Sequence, residues 1–290
     1  MTININLGMS GAYKAKVLDK EGNIVQETDW FDNLLVDEFF EEWFTKGGSA
    51  VSTAACLVGT GTTPPTVTDT GIENGVANVS NGANGDFTYQ IASAPYYTQT
   101  IKDYDFGFGT INTTLTEVAI RSSASPTSGF TTSRALFPTP LEITDQQQLI
   151  LSYRMRCYFP DQDIVSTVGS YDVTLRPSLV GNSNIWLPQG NWSTSGGTTN
   201  GRIYTSSIGD IDSLPTGGNV SRSSYSNSTY TTGDMFRSRT YVWGPDIANQ
   251  SNTSVYLEVG HAWQAQFSPT IDKTNTERLE ITIQITVSRV

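Results

Sequence analysis

The chain holds 290 residues, enough for one large or two ordinary domains, with a net charge of −11 and only 16% charged residues. That balance argues against nucleic acid and anionic membrane as main partners, because both require basic patches and no local basic cluster stands out. No apolar run reaches the roughly 20 residues that a bilayer requires, and MTININLGMS lacks the charged and apolar regions of a signal peptide.

Asn, Thr, Ser and Gly fill the places that Lys and Glu hold in most cytosolic enzymes, which suits hydroxyl-rich strands and many turns. Ala12 to Thr28 reads as a hairpin around the turn cluster Asp19–Asn23. The next segment, WFDNLLVDEFFEEWFTKGG, predicts an amphipathic helix over about 33–46. Asp32 or Asn33 would cap it, and Asp37 and Glu38 suit its positive end. Leu35, Phe39 and Trp43 recur at helical spacing, with Leu34, Val36, Phe40 and Phe44 widening the stripe; Lys46 and Gly47-Gly48 end it. Such a stripe needs a cover, either a β-sandwich that it plugs or another subunit. Cys56 to Thr63 is a short apolar run leading into a Gly/Thr turn, and Asp69-Thr70-Gly71 marks a second turn. Residues 75–86 read as a surface loop. Tyr96 to Phe108 and Leu115 to Arg121 read as strands, with a Ser/Pro/Gly loop over 122–132.

The stretch ALFPTPLEITDQQQLILSYRMRCY, residues 135–158, has an ungapped echo in AQFSPTIDKTNTERLEITIQITVS, residues 265–288. Ala135/Ala265, Phe137/Phe267, Thr144/Thr274 and Leu149/Leu279 are identical. Each copy ends in alternating apolar residues, Leu149 to Cys157 and Leu279 to Val287, which give a strand one buried and one wet face. The echo reflects a duplication, or two strands of one sheet with the intervening region inserted between them. Between the copies, the boundary falls at 161–169. Tyr171 to Leu175 is a strand. Residues 182–207 are turn-rich and carry Trp186 and Trp192, and 210–230 are small and polar. Strand pattern returns at Met235 to Trp243 and Val255 to Val259. The division expected is 1–164, a β domain with the helix, and 165–290, a second β region with long polar loops. The last strand of that region, 278–289, completes or repeats the first sheet. The fold class is all-β, an antiparallel β-sandwich or jelly-roll-like arrangement with one N-terminal helix.

Chemical motifs are sparse. The single histidine, His261, stands in no nucleophile frame and reads as structural. Asp161/Asp163 and Asp210/Asp212 place carboxylates on one side of an extended chain, yet turn formation explains them without a metal. Asp103, Asp105, Glu117 and Glu258 are the carboxylates available to a glycosidase, which needs two facing a sugar cleft. Gly59-Thr60-Gly61 lacks the lysine and the strand-loop-helix setting of a phosphate loop. Cys56 and Cys157 read as free and buried. No catalytic, cofactor or metal residues are expected. The residues proposed for an interaction surface are aromatic: Phe39, Trp43, Trp186, Trp192 and Trp243.

The order of the pieces carries a resemblance. After the hairpin come WFDNLLVDEFFEEW, LVGTGTTPPTVTDTGI, FGFGTINTTLTEVAIR and SRALFPTPLEITDQQQLILSYRMRCYFPD. This order, an F-x-N-L helix, a VGTG-T-x-P turn and an E-V-x-I strand, resembles structural proteins of tailed bacteriophages of the tail-fibre, tail or collar type. It covers about residues 11–160, with a weaker echo at the C-terminus. The resemblance implies a non-enzymatic virion component, folded in the host cytoplasm. Such a part assembles with copies of itself and with other virion proteins at the tail, neck or collar. A carbohydrate-binding host-recognition module that meets a surface glycan, or a capsid decoration protein, are the alternatives.

Overall fold

Strand β1 (Thr2–Leu18) sets the architecture, because its alternation runs the length of the element. Ile3, Ile5, Leu7, Met9, Tyr13, Ala15 and Val17 are buried, while Asn4 and Asn6 between them are exposed. The hairpin expected from Ala12 therefore begins ten residues earlier, at Thr2. The computed structural model describes residues 1–46, 53–80, 87–124, 129–180 and 201–290.

The first half continues with β2 (Ile24–Glu27), β3 (Phe31–Asp32), β4 (Leu34–Leu35), helix α1 (Asp37–Lys46), β5 (Ala55–Gly59), β6 (Gly75–Ser80), β7 (Phe87–Gln90), β8 (Tyr96–Phe106), β9 (Thr113–Arg121), β10 (Thr131–Ile143) and β11 (Gln148–Phe159). The second half holds β12 (Ile164–Val168), β13 (Tyr171–Pro177), β14 (Gly201–Tyr204), β15 (Asn219–Ser221), β16 (Ser224–Asn227), β17 (Phe236–Trp243), β18 (Ser251–Val259), β19 (His261–Asp272) and β20 (Leu279–Arg289). Three sheets result. The nine-stranded sheet runs β16-β17-β20-β1-β11-β8-β7, with β2 and β3 also on β1. A five-stranded sheet runs β4-β10-β9-β5-β6, and a six-stranded sheet runs β12-β13-β19-β18-β14-β15. The buried side chains of all three sheets form one core. The fold is all-β and sandwich-like.

The two halves follow the same path. The order β4-β10-β9-β5-β6 recurs as β13-β19-β18-β14-β15, and β7-β8-β11 recurs as β16-β17-β20. Registers agree as well: Ala135 faces Val118 and Ala265 faces Val255, and both pairs of strands carry an irregularity before Leu141 and Ile271. The sequence of buried and exposed residues over 131–143 repeats without exception over 261–273. The echo between 135–158 and 265–288 thus spans two equivalent strand pairs, and their second members, β11 and β20, also share one sheet. Between them lies β1, antiparallel to β11 and parallel to β20. The last strand therefore completes the sheet begun by the first.

The helix starts at Asp37, not near residue 33. Backbone partners claim the preceding residues: Asn33 donates to the Gly11 carbonyl and Val36 to that of Thr132, at 3.2 Å each, while Leu34 and Leu35 pair with Arg134 and Ser133. Asn33 also packs so closely on Gly11 that a Cβ there would meet its amide at 2.6 Å. Phe39, Phe40, Trp43 and Phe44 are all buried. Part of their cover comes from the chain's own second half. Phe44 stacks on Tyr230, Arg237 donates to the Phe44 carbonyl at the helix C-terminus, and Arg289 pairs with Asp37 at its start. Gly75–Ser80, expected within a loop, is an edge strand beside β5 because Val79 and Ala77 can turn toward the core. The expected helix stop at Gly47-Gly48 lies outside the described residues.

Candidate functional site

The densest polar cluster is built from the motif residues themselves. Glu117 on β9 is fully buried. Its carboxylate accepts backbone N–H groups from Gly61 at 2.8 Å, Glu73 at 3.0 Å and Asn74 at 2.7 Å. It also accepts Arg134 Nε at 3.1 Å and an Arg134 Nη at 2.9 Å. Arg134, buried on β10, reaches onward to Asp69 at 2.8 Å and to the Thr63 carbonyl at 3.0 Å. Glu73 in turn accepts the N–H groups of Thr62 at 2.8 Å and Thr63 at 2.9 Å. The whole connection from Thr60 to Asn74 is thereby tied to β9 and β10.

The glycines of Gly59-Thr60-Gly61 serve this cluster. A Cβ on Gly61 would collide with the Glu117 carboxylate, and one on Gly59 with the Asn74 carbonyl. They admit a close approach of backbone to carboxylate, and no phosphate cradle is involved. Four of the five guanidinium donors of Arg134 are engaged. An arginine so committed holds structure in place and has no fork left for a ligand.

The second half ties down the equivalent connection from the equivalent positions without charge. By register Gln264 occupies the place of Arg134 and Ser254 that of Glu117. Gln264 accepts Gly209 N–H at 2.9 Å and donates to the carbonyls of Asp210 and Ser213, while Ser254 donates to the Ser206 carbonyl at 2.6 Å.

Charge makes the first connection acid-sensitive. Burial pushes the Asp69 carboxyl up, but the Thr66 and Arg134 hydrogen bonds outweigh it and hold Asp69 below its ordinary value. Donors from Thr63, backbone first, do the same for exposed Glu73. A lowered folded-state pKa contributes stability that is fully present above the unfolded value, about 4, and lost as pH falls through the folded value. Hydrogen exchange over 60–74, corrected for intrinsic rates, should therefore speed up as pH drops below about 4. Glu73→Gln should flatten that response. Unchanged protection down to pH near 3 would contradict the assignment.

The other carboxylates do not converge. Asp103 and Asp105 lie on exposed positions of β8, bonded to Ser152 and Gln148. Glu258 is buried on β18 beside the Tyr256 hydroxyl at 2.8 Å. With Glu117, these four are spread over three sheets. Asp161, Asp163 and Asp210 do line one open cavity of about 310 Å³ with Arg176. There Arg176 binds Asp163 through two bonds, at 2.8 and 2.7 Å, and the Gly209 carbonyl at 2.7 Å. Among the described residues no cluster of His, Cys, Asp or Glu could hold a metal ion. His261 is buried with its ring edge-on to Phe159 at 4.9 Å. Cys56 and Cys157 are free and buried, and burial pushes both thiols up.

The aromatic interaction surface needs correction. Phe39, Trp43 and Trp243 are fully buried within the chain. Phe39 and Trp43 belong to the helix face clasped from both halves, and Trp243 lies under the Val220 carbonyl, to which its indole donates at 3.2 Å. None is free to meet a partner. Trp186 and Trp192 lie outside the described residues. Sequence reasoning passed over Trp30, which is partly buried beneath the Arg154 guanidinium, 4.6 Å from the ring centre. Its signal was available: Arg154 and Arg156 occupy the outward positions of a strand whose inward positions are Tyr153, Met155 and Cys157.

Comparisons with protein-family models, with curated proteins and with solved structures find no match to this chain.

Proposed function

We propose that the chain is a non-enzymatic structural component of a tailed-phage particle, assembling as an oligomer at the tail, neck or collar. The supporting observation is the convergence of the segments on which the resemblance rests. VGTG-T-x-P, E-V-x-I and the Leu34 of F-x-N-L all meet in the sheet β4-β10-β9-β5-β6, where Glu117 and Arg134 join them. A set of motifs that builds one buried strut is what a shared architecture requires, and it carries no reactive group. The dispersal of the other carboxylates favours the same reading. Virion parts assemble through closed symmetry, so many modest contacts add up.

Native mass spectrometry of the purified protein tests this. A single closed oligomer is expected. A trimer points to a fibre or spike, and a hexameric or dodecameric ring to the neck or collar. A strict monomer up to high concentration would tell against self-assembly.

A further inference from the structure

The outer face of the nine-stranded sheet carries an arrangement that the architecture does not use. Arg154 and Arg156 are two apart on β11, so they stand side by side, about 7 Å apart along the strand, on the face opposite the core. Each guanidinium lies over an aromatic ring: Arg154 over Trp30 at 4.6 Å, Arg156 over Tyr97 at 4.3 Å. Tyr97 makes an edge contact with Tyr158, and Gln99 accepts Arg156 Nε at 2.7 Å. Among the described residues Arg154 makes no ion pair or hydrogen bond, and the Nη groups of Arg156 make none either. This contrasts with Arg134, with four of five donors engaged, and with Arg176, with three. The two stacked guanidiniums repel each other, and an anion held between them would relieve that repulsion. Burial, followed by the proximity of Arg156, holds the Arg154 pKa below its ordinary value, and the charge of nearby Asp32, which makes no ion pair with it, opposes this only in part.

Trp30 also belongs to a second feature. It lines an open cavity of about 500 Å³, within the range of ligand sites, together with Gln26, Thr28, Asp29, Pro138 and Thr139. An indole plate among amide, hydroxyl and carboxylate groups, with prolines as a wall, has the lining that a sugar ring requires. Glu27 also borders it, but its charge is met by Lys14 at 2.7 Å and Lys16 at 3.7 Å.

We infer that this face binds a carboxylate-bearing saccharide, with a sugar ring in the Trp30 cavity and the carboxylate on the forks of Arg154 and Arg156. The bidentate fit of guanidinium to carboxylate supplies selectivity. The Gln26 amide nitrogen already donates to the Glu142 carbonyl at 2.7 Å and the Thr28 hydroxyl oxygen accepts Ala15 N–H at 2.9 Å, so the Asp29 carboxylate, the Thr139 hydroxyl and the Gln26 amide oxygen are the partners for sugar hydroxyl groups, which an acidic peptide would leave unused. The site is independent of the assembly reading, since it uses only residues of one chain.

Isothermal titration calorimetry of the full chain tests it with oligogalacturonate and sialyllactose, against the methyl ester of the first and lactose as the uncharged counterparts. The expected result is binding of the acidic saccharides, with a loss of about tenfold or more on methylation and a similar loss in Arg154→Gln/Arg156→Gln. Thr139→Ala, at an exposed position of β10 that lines the cavity, should weaken binding while leaving the thermal transition in place, which covers the case that the arginine variant misfolds. Three results would overturn the inference: no binding of either acidic saccharide at millimolar concentration, equal affinity for the uncharged counterparts, or binding of a poly-glutamate peptide without binding of sugars.

Discussion

Replacing Glu117 with alanine should cost about 3–5 kcal/mol of stability, read from urea denaturation, because it takes one of two carboxylate partners from a buried arginine and leaves three backbone N–H groups without an acceptor. The loss should exceed that from Arg134→Met. Without Arg134, the Glu117 carboxylate keeps three backbone donors from Gly61, Glu73 and Asn74. Without Glu117, those three N–H groups lose their acceptor together, and the guanidinium keeps only Asp69 and the Thr63 carbonyl. An ordinary buried ion pair can often be exchanged for apolar residues at little cost. Here Glu117→Leu/Arg134→Met should fail to restore wild-type stability, since each buried N–H left without an acceptor costs about 1–3 kcal/mol. Glu117→Gln should be destabilising too, because an amide nitrogen would face donors. If the double apolar variant matches the wild type, the carboxylate is acting as a simple charge partner and the account of the connection over 60–74 is wrong.

How much of this was legible follows from which signals are local. The alternation of Leu149 to Cys157 and of Leu279 to Val287 is local, and it led directly to β11 and β20. The same alternation in Ile3, Ile5, Leu7 and Met9 is equally local, yet a reading that starts the hairpin at Ala12 leaves it out of the strand. The helix was legible from Phe39 and Trp43, but its start was not. Asn33 looks like a cap in sequence, and the competing partner, the Gly11 carbonyl, is more than twenty residues away. The role of Glu117 could not be read locally at all. E-V-x-I says strand, and a glutamate at an edge of a strand pattern reads as solvent-facing. Only the long connection returning from β5 to β6 brings three N–H groups onto its carboxylate. The aromatic surface failed for a related reason. Trp43 and Trp243 are large and amphipathic, so composition alone allows core or interface; the clasp of α1 by both halves decides for core at Trp43, and the cover of β15 through the Val220 carbonyl does so at Trp243. The same ambiguity hid Trp30, whose exposure depends on the arginines two strands away.

Ile5→Ala should lower stability by about 2–5 kcal/mol, as large-to-small changes at fully buried sites do, and the loss should be felt in both halves at once. Ile5 is fully buried and faces Ile285 on β20, while the same strand further along faces β11 through Tyr13 and Tyr153. β1 is the one strand common to both repeats of the path, so loosening its N-terminal part leaves β20 with an unpaired edge and removes the bridge to β11. Denaturant-dependent hydrogen exchange should show residues 149–159 and 279–289 losing protection in one transition, in the wild type and in the variant, with the variant's midpoint lower. The neighbouring Asn6→Ala, at an exposed position of the same strand, should stay within about 0.5 kcal/mol of the wild type. Two separate transitions would mean that each half closes its own core and that β1 merely lies between them. One transition follows if the core is continuous, because the buried residues of β1 pack against side chains from both halves and neither half can bury its share of the sheet alone.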